Sequence, residues 1–322
     1  MRIERREGDF AVFILTNRRA RNVKTYNTLR KHGYTGRIYL MVDDEDPEIP
    51  IYKELYKDQV IVFNKQSAID ITDSGDNFGK RNSVVFARNW NFVIAKELGL
   101  QYFWQLDDDY SRFYFTINGS GEYIAAQRKK TNLDFILDIC IEFLEVSGAH
   151  SVAFSQGGDF IGGPGAAVYK RFQKGKLTRK VMNSFLYSVD RPVQFYGRIN
   201  EDVNMYVTEG LRGKLFVTIP QLRLEQADTQ AQSGGLTDIY LDLGTFVKSF
   251  YSVMYAPSCV KIVEMGNNHR RIHHKIEWKH AVPCIISESY RKGGGIVGAA
   301  TAYSDREESR RSAGAGRVRD EA

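Results

Sequence analysis

Three consecutive carboxylates, Asp107, Asp108 and Asp109, follow an apolar segment at residues 100–106. Successive side chains of an extended segment point to opposite sides, so we expect Asp107 and Asp109 to share one side. Acids crowded beside an apolar strand repel one another and lose hydration, and a hard cation such as Mg²⁺ or Mn²⁺ relieves both penalties. Such a cation can neutralise the charge on a departing diphosphate. The competing interpretation is an acidic surface turn that caps the next element.

A second acidic cluster, Asn200-Glu201-Asp202, lies at a predicted helix start. Carboxylates near a helix N-terminus are stabilised by the helix dipole, which gives these acids a purely structural explanation. The functional interpretation is a general base, because an alcohol is a poor nucleophile until its proton is removed. Asp202 is the candidate base, and spacing alone does not choose between the two explanations.

Four of the six histidines lie within twelve residues. They are His269, His273, His274 and His280. A neutral imidazole from this cluster can complete a metal shell, while Arg270, Arg271 and Lys275 can bind phosphate oxygens. A solvated basic strand or loop is the alternative.

Residues 157–165 are rich in glycine, which allows a backbone to approach a sugar or phosphate closely, but they match neither a Rossmann nor a P-loop fingerprint. The cationic segment that follows suits contact with a phosphate backbone. Its cations are Lys170, Arg171, Lys174, Lys176, Arg179 and Lys180. A solvated loop explains the same residues.

The elements that position these groups are predicted to form a series of βαβ units. Continuous apolar runs, rather than alternating ones, indicate strands that are buried on both faces, and parallel pairing is the default. The predicted strands cover residues 10–16, 37–42, 60–63 and 100–106, and the predicted helices cover 19–32, 51–56 and 84–98.

The second half of the chain is less regular. Its predicted helices cover 133–146, 201–211 and 241–255, and its predicted strands cover 151–155 and 215–219. After Arg306 the composition changes to Ser, Gly, Ala and mixed charge, which predicts a disordered tail. We therefore expect one large α/β domain made of two fused halves.

Bulk properties limit the classes of protein. The chain has 322 residues, 43% hydrophobic, with a net charge of +6, which permits polyanionic partners without requiring them. Cys140, Cys259 and Cys284 are widely spaced, so neither a zinc cluster nor a disulfide framework is indicated. No run approaches the roughly 20 apolar residues of a membrane span, and the charged start is unlike a signal peptide. We expect a soluble cytoplasmic protein without an evident obligate protein partner.

The ordered set of motifs resembles the GT-A glycosyltransferase plan across roughly residues 10–286. The set comprises a strand ending at Thr16, the Asp43-Asp44 loop, Ala87-Arg88-Asn89, the acid triplet, the glycine-rich loop, Asn200-Glu201-Asp202 and a late histidine. Four segments of the sequence resemble the TET-associated glycosyltransferases of phages. They are FAVFILTNRRARNVKTYNTLRKHGYTGRIYLMVDDED, YFWQLDDDY, NEDVNMY and RIHHKIEW. That family is linked to DNA hypermodification and is related to the base J glucosyltransferase.

The resemblance implies a GT-A-like, Rossmann-type mixed sheet, mostly parallel and flanked by helices. It implies a nucleotide-sugar-binding half at residues 8–110 and an acceptor-binding, catalytic half at 111–303, followed by the tail at 304–322.

The resemblance also implies roles for individual residues. The triplet takes the DxD role, with Asp107 and Asp109 binding metal and Asp108 facing the donor sugar or ribose. Asp202, beside Glu201, matches the catalytic base, and His273 best matches the metal-binding histidine, with His274 or His269 as alternatives. The donor-binding set is Thr16, Asn17, Arg18, Asp43, Asp44, Lys80, Arg88, Asp107, Asp108 and Gly163.

The implied reaction transfers a sugar from a UDP-sugar, with Mn²⁺ or Mg²⁺, to the hydroxyl of a 5-hydroxymethylpyrimidine in DNA. 5-Hydroxymethylcytosine is the first candidate, and inversion is expected with retention left open. Substituents on pyrimidine C5 project into the major groove, so duplex DNA can be the acceptor unless a deep cleft requires base flipping. The alternatives are a polysaccharide, lipid or protein acceptor, a non-catalytic DNA-binding module, and a metal-dependent nuclease. A phage-encoded enzyme would work in the host cytoplasm.

Overall fold

The computed structural model describes residues 8–124, 132–226, 244, 246–266 and 271–283. Residues 1–281 form one compact unit and residues 282–322 form a second. The elements given below belong to the first unit. His269, Arg270, Cys284, residues 241–243 of a predicted helix and the predicted tail at 304–322 lie outside the described residues.

The first four strands are parallel, as predicted. They are β1 (Phe10–Leu15), β2 (Arg37–Asp43), β3 (Val60–Phe63) and β4 (Tyr102–Asp107), in the order β3-β2-β1-β4. All six residues of β1 are buried, which is the reason for its continuous apolar run. Leu15 at the end of β1 pairs with Asp107 at the end of β4, so the acid triplet begins where two central strands end.

Four further strands complete an eight-stranded sheet, in the order β4-β7-β6-β8-β5. They are β5 (Tyr110–Phe115), β6 (Ser151–Gln156), β7 (Phe185–Ser188) and β8 (Phe216–Gln226). β6 and β8 pair in parallel, whereas β7 is antiparallel to both β4 and β6, and β5 is antiparallel to β8. The mixed, mostly parallel sheet is thereby confirmed. β5 and β7 were not predicted, and β8 extends seven residues beyond the predicted strand end at Ile219.

Helices cover both faces of the sheet. They are α1 (Lys24–Lys31), α2 (Ile49–Tyr56), α3 (Lys65–Asp70), α4 (Val84–Glu97), α5 (Leu133–Ser147), α6 (Ala167–Gln173), α7 (Glu201–Leu211) and α8 (Val247–Tyr255). Val12 and Ile14 of β1 pack into the core that holds α1 and α5, and Phe13 into the core that holds α4 and α7. None of these helices in the described part of the chain is long and apolar enough to cross a bilayer.

The predicted helix at residues 19–32 is wrong in its first five residues, because α1 begins at Lys24. Tertiary hydrogen bonds hold the preceding backbone instead. The Arg19 amide donates to the Tyr52 hydroxyl at 3.0 Å, the Ala20 amide donates to the Glu48 carboxylate at 2.8 Å, and Arg18 adopts φ of 54°. Helical spacing at Val23, Tyr26 and Leu29 does not reveal these contacts.

The late basic segment forms a β-strand. β9 (Val260–Met265) and β10 (Arg271–Ile276) make a separate antiparallel pair, and α8 packs against both strands and against α7. This arrangement brings His273 and His274 toward the start of α7. The earlier cationic segment begins on α6, which carries Lys170 and Arg171.

Candidate active site

Asp108, the middle acid of the triplet, is held by the protein itself. Its Oδ2 accepts a hydrogen bond from Thr16 Oγ1 at 2.8 Å, and its Oδ1 accepts one from the Arg19 guanidinium at 2.8 Å. Thr16 also bonds the Tyr52 hydroxyl at 2.8 Å. Burial raises the pKa of Asp108, and Arg19 and Thr16 oppose that shift. The two strand ends are therefore joined by a buried, charge-assisted contact.

Asp107 and Asp109 have different environments from Asp108, and the shared side expected for them remains a prediction. Asp107 Oδ1 accepts from Arg88 at 3.1 Å, and its Oδ2 accepts from the Tyr110 hydroxyl at 3.3 Å. Oδ1 of Asp109 is buried and has no hydrogen-bond partner in the described part of the chain. Burial, followed by repulsion from Asp107 and Asp108, raises the pKa of Asp109 to about 7.

Arg88 on α4 joins the two acidic clusters. Its side chain is 5% exposed, its Nε donates to Glu201 Oε1 at 3.1 Å, and its second terminal nitrogen donates to Asp107 Oδ1 at 3.1 Å. The rings of Phe185 and Phe195 lie 5.0 and 5.7 Å from its guanidinium carbon. Burial alone would lower the pKa of Arg88, but Asp107 and Glu201 outweigh burial and raise it. One guanidinium thus neutralises a donor-side acid and an acid of α7.

The helix that carries Arg88 also fixes the segment before α7. Asn89 Nδ2 donates to the Phe195 carbonyl at 3.0 Å, and Asn89 Oδ1 accepts from the Phe195 amide at 2.8 Å. A side-chain amide that satisfies both backbone groups of one residue acts as a substitute strand partner. The start of α7 is therefore aligned on α4, as the motif Ala87-Arg88-Asn89 requires.

Glu201 and Asp202 begin α7 but differ in access. Glu201 is 4% exposed and is committed to Arg88, and burial raises its pKa. Asp202 is half-buried, and burial raises its pKa while the Val203 amide, Arg88 and Lys180 oppose the shift. Asp202 is the more accessible of the two carboxylates, as a general base must be.

His274 contacts the residue that precedes α7. Its Nδ1 lies 3.4 Å from Asn200 Nδ2, and its ring lies 4.3 Å from that of His273. Burial and neighbouring Lys248, Arg271 and Lys180 lower the pKa of His273. Burial, followed by His273, Lys248 and Lys180, also lowers the pKa of His274. Both imidazoles are consequently neutral at physiological pH, a state that permits either metal binding or hydrogen-bond donation.

The residues present fit a hard divalent cation in charge and ligand type. Asp109 supplies a buried oxygen without a hydrogen-bond donor among the described residues, and Asp107 supplies a second carboxylate two positions earlier in the chain. Among the residues that the structure describes, no three acidic, histidine or cysteine side chains are gathered into a metal site. Mg²⁺ commonly uses one or two carboxylates and completes its shell with water and substrate phosphates. Metal binding by Asp107, Asp109 and His273 remains a prediction.

The ends of β1 and β2 meet through the other predicted donor residues. Asn17 donates to Asp43 at 3.1 Å, and the Arg18 amide donates to Asp46 at 2.7 Å. Asp44 is exposed and caps the start of α3 by accepting from the Lys65 amide at 2.9 Å. The sequence interpretation missed Arg19, Asp46 and Lys65. The acidic run 43–46 was a usable signal for Asp46.

Lys80 and Gly163 lie in two other segments. Lys80 is exposed in the loop between α3 and α4, and that loop is anchored by Asp76, which pairs with buried Arg198 at 2.7 Å. Gly163 has φ of 56° in a 3₁₀ turn beside Tyr123. Within the described residues, no hydrogen bond joins either one to the triplet, and their donor-binding role remains a prediction.

The family model described as "TET-Associated Glycosyltransferase" matches residues 10–235. The chain therefore belongs to the TET-associated glycosyltransferase family, and it is a glycosyltransferase, as predicted. The match contains β1 to β8, the acid triplet, Arg88 and α7, and it ends before α8 and the β9–β10 pair. No curated protein matched the sequence.

Three solved structures have similar folds at low identity. Glucosyl-3-phosphoglycerate synthase from Mycobacterium tuberculosis, solved with Mn²⁺, UDP and phosphoglyceric acid, has 9% identity, a TM-score of 0.44, and coverage of 83% of this chain and 87% of its own. The mannosyltransferase PcManGT from Pyrobaculum calidifontis, solved with GDP-Man and Mn²⁺, has 12% identity, a TM-score of 0.41, and coverage of 76% and 73%. TarS from S. aureus, with UDP-GlcNAc, has 12% identity, a TM-score of 0.38, and coverage of 76% and 66%.

Proposed function

We propose that this glycosyltransferase moves a sugar from a UDP-sugar to the hydroxyl of a 5-hydroxymethylpyrimidine in DNA, with 5-hydroxymethylcytosine the preferred base. The observation that carries the proposal is the Arg88 bridge between Asp107 and Glu201. It joins a carboxylate edge suited to a metal-bound diphosphate to the helix start that carries an accessible base. Transfer from a nucleotide sugar requires these two functions side by side.

In this proposal the donor binds at the edge formed by β1, β2 and β4, within the nucleotide-sugar-binding half at residues 8–110. Mn²⁺ or Mg²⁺, held by Asp107, Asp109 and His273, would supply positive charge to the departing diphosphate. The buried contact of Asp108 with Thr16 and Arg19 keeps the other two acids facing the ligand. Asn17, Arg18, Asp44 and Lys80 are exposed and available to the nucleotide.

The acceptor side belongs to residues 111–303 and is centred on α7. Asp202 removes the proton of the acceptor hydroxyl, and the resulting oxygen bonds to the anomeric carbon opposite the leaving group. The bond from that carbon to the diphosphate breaks, UDP leaves and the configuration inverts. Glu201, paired with Arg88, orients the helix start and keeps Asp202 in place.

DNA as the acceptor is supported by the family's association with DNA modification and by the cations of α6. Lys170, Arg171, Lys174 and Lys176 are all exposed along α6 and the turn after it. Neutralised phosphates release counterions, so binding should weaken steeply as salt increases. The enzyme would act in the cytoplasm of a phage-infected host.

Product analysis tests the proposal. The protein is incubated with DNA containing 5-hydroxymethylcytosine, 5-hydroxymethyluracil or cytosine, with Mn²⁺ and a panel of UDP-sugars, and the DNA is then digested to nucleosides for mass spectrometry. A sugar mass is expected only on hydroxymethylated bases, and Asp202→Asn is the matched negative control. Absence of a sugar adduct for every donor and base would refute the DNA acceptor.

Two alternatives make different predictions. A neutral polysaccharide, lipid or protein acceptor would give sugar transfer whose acceptor affinity is insensitive to salt. A non-catalytic DNA-binding module would bind DNA without hydrolysing any donor, and Asp107→Asn with Asp109→Asn would leave its behaviour unchanged.

A further inference from the structure

A chain of side-chain hydrogen bonds runs from the backbone before α7 to His274, and its first member has a fixed orientation. Asn204 Nδ2 donates to the carbonyls of Tyr196 and Ile199 at 2.8 and 3.1 Å. Carbonyl oxygens only accept, so the amide nitrogen of Asn204 must face them and its Oδ1 must face the other way. Gly197 permits this approach, because a Cβ there would lie 2.9 Å from Asn204 Nδ2.

The second member, Ser252 on α8, has a single hydroxyl proton. Asn204 Oδ1 can only accept a hydrogen bond, and it lies 2.8 Å from Ser252 Oγ, so the Ser252 hydroxyl donates to Asn204 Oδ1. Ser252 Oγ must then accept from Asn200, whose Nδ2 lies 2.5 Å away. Ser252 is 1% exposed, so water does not compete for the contact.

The third member, Asn200, donates hydrogen bonds to both Ser252 and His274. One amide proton of Asn200 is used on Ser252, and the other faces His274 Nδ1 at 3.4 Å, the longest contact in the chain. Asn200 has φ of 61°, in the left-handed region that asparagine tolerates better than most residues. Nδ1 of His274 is therefore an acceptor, and a neutral imidazole that accepts at Nδ1 carries its proton at Nε2.

We propose that Asn204, Ser252 and Asn200 are positioning residues that hold His274 in the Nε2–H tautomer. His274 then donates a hydrogen bond from Nε2 to an oxygen of the nucleotide sugar and does not bind metal through that nitrogen. Coordination would require a lone pair at Nε2 and would normally place the proton on Nδ1, which this chain forbids. The identity of the ligand rests on the proposed function, whereas the tautomer rests on the hydrogen bonds alone.

The environment of His274 agrees with a neutral donor. A doubly protonated ring has no lone pair at Nδ1, so acceptance of a hydrogen bond from Asn200 requires a neutral ring. The Nε2 atom has no hydrogen-bond partner within the described residues, which leaves it available to a ligand. His273, whose ring lies 4.3 Å from that of His274, remains the candidate metal ligand.

Long-range ¹H–¹⁵N NMR of the histidine-labelled full chain at pH 7.5 tests the tautomer directly, with no donor or DNA. His274→Gln assigns the signal. The pattern expected for His274 is a protonated Nε2 and an unprotonated Nδ1. A protonated Nδ1 would overturn the proposal, whatever the enzyme's acceptor.

Two variants test the origin of the tautomer. Asn200→Asp retains the shape but has only acceptors, so His274 should change to Nδ1–H. Ser252→Ala releases Asn200 and should give a mixture of tautomers. The matched control is Ser249→Ala, on the same helix, because the buried Ser249 hydroxyl has no hydrogen-bond partner among the residues that the structure describes. An unchanged His274 signal in both Asn200→Asp and Ser252→Ala would overturn the relay.

Addition of UDP with Mg²⁺ separates donation from coordination. A donor role predicts that His274 keeps its Nε2 proton and that this resonance shifts on binding. A metal-ligand role predicts transfer of the proton to Nδ1, and that result would overturn the proposal. The NMR result for the free enzyme does not depend on sugar transfer. If the transfer assay failed, the assigned tautomer would still stand, so failure of the proposed function can be told apart from failure of this proposal.

Discussion

The two acidic clusters contain the same kinds of side chain but have opposite surroundings. The triplet 107–109 begins at the last residue of β4, and each of its acids has a different environment. Asp107 accepts from Arg88, Asp108 is fixed by Thr16 and Arg19, and one oxygen of Asp109 has no donor among the described residues. The pair at α7 follows a left-handed residue, with Glu201 buried against Arg88 and Asp202 accessible. Environment, rather than residue type, separates a metal-binding role from a base role.

Arg88 contributes to this difference, because it pairs with one acid of each cluster, whereas neither Asp109 nor Asp202 forms an ion pair within the described residues. In the proposed mechanism, Asp109 binds the metal and Asp202 accepts the proton of the acceptor hydroxyl.

Asp202→Asn should have the largest effect. Loss of a general base lowers kcat by about 10²–10⁴-fold, whereas UDP binding should be unchanged because the donor edge is intact. Steady-state kinetics and calorimetric titration with UDP measure the two quantities. Equal losses in Asp202→Asn and Glu201→Gln would erase the distinction between accessible and buried acids.

Arg88→Met should lower the free energy of unfolding by about 3–5 kcal/mol, because it leaves Glu201 and Asp107 without their cation. Urea denaturation measures the loss. Adding Glu201→Gln should recover part of it, since the uncompensated buried charge is then removed. The control is Arg81→Met, which removes an exposed pair with Glu45 and should change little.

Thr16→Val should lower the free energy of unfolding, measured by urea denaturation, by about 1–3 kcal/mol, because Asp108 Oδ2 and the Tyr52 hydroxyl both lose a buried partner. Thr208→Val is the matched control, since the buried Thr208 hydroxyl makes no hydrogen bond in the described part of the chain. If the two variants were equally stable, Asp108 would not be an internal support for the triplet.

Glu201→Gln should give the smallest effect, a change in the slope of the free energy of unfolding against pH. Burial raises the pKa of Glu201 in the folded protein above the ordinary value of 4.5, so ionisation on folding is penalised. The penalty is absent below pH 4.5 and grows as pH rises above it. Wild type should therefore lose stability relative to Glu201→Gln as pH increases in that range. A difference that is constant from pH 4 to 8 would contradict the raised pKa.

The parallel half of the fold was predictable because each element carries its own pattern. β1, β3 and α7 have continuous or helical apolar patterns, and the structure places β3 and α7 at the predicted residues. β5 and β7 were not predictable, since four or six residues that owe their conformation to strands far along the chain carry no local signal.

The candidate site was predictable in composition but not in contacts. Runs of adjacent acids were visible at Asp107–Asp109 and Glu201-Asp202. The role of Arg88 as a bridge was not, because its two partners lie 19 and 113 residues away. The hydrogen bonds that connect Asn204 to His274 could not be predicted from sequence spacing for the same reason, because α7, α8 and β10 lie far apart along the chain.

The length of these connections has a consequence for synthesis of the protein. Arg88 and Asn89 leave the ribosome more than a hundred residues before Glu201 and Phe195, which they bind. Contacts this distant in sequence slow folding, because the intervening chain must lose entropy before they form. Residues 8–110 should thus emerge with Arg88 paired to Asp107 alone, and Arg88 and Asn89 should gain their remaining partners only when residues 195–201 have been made.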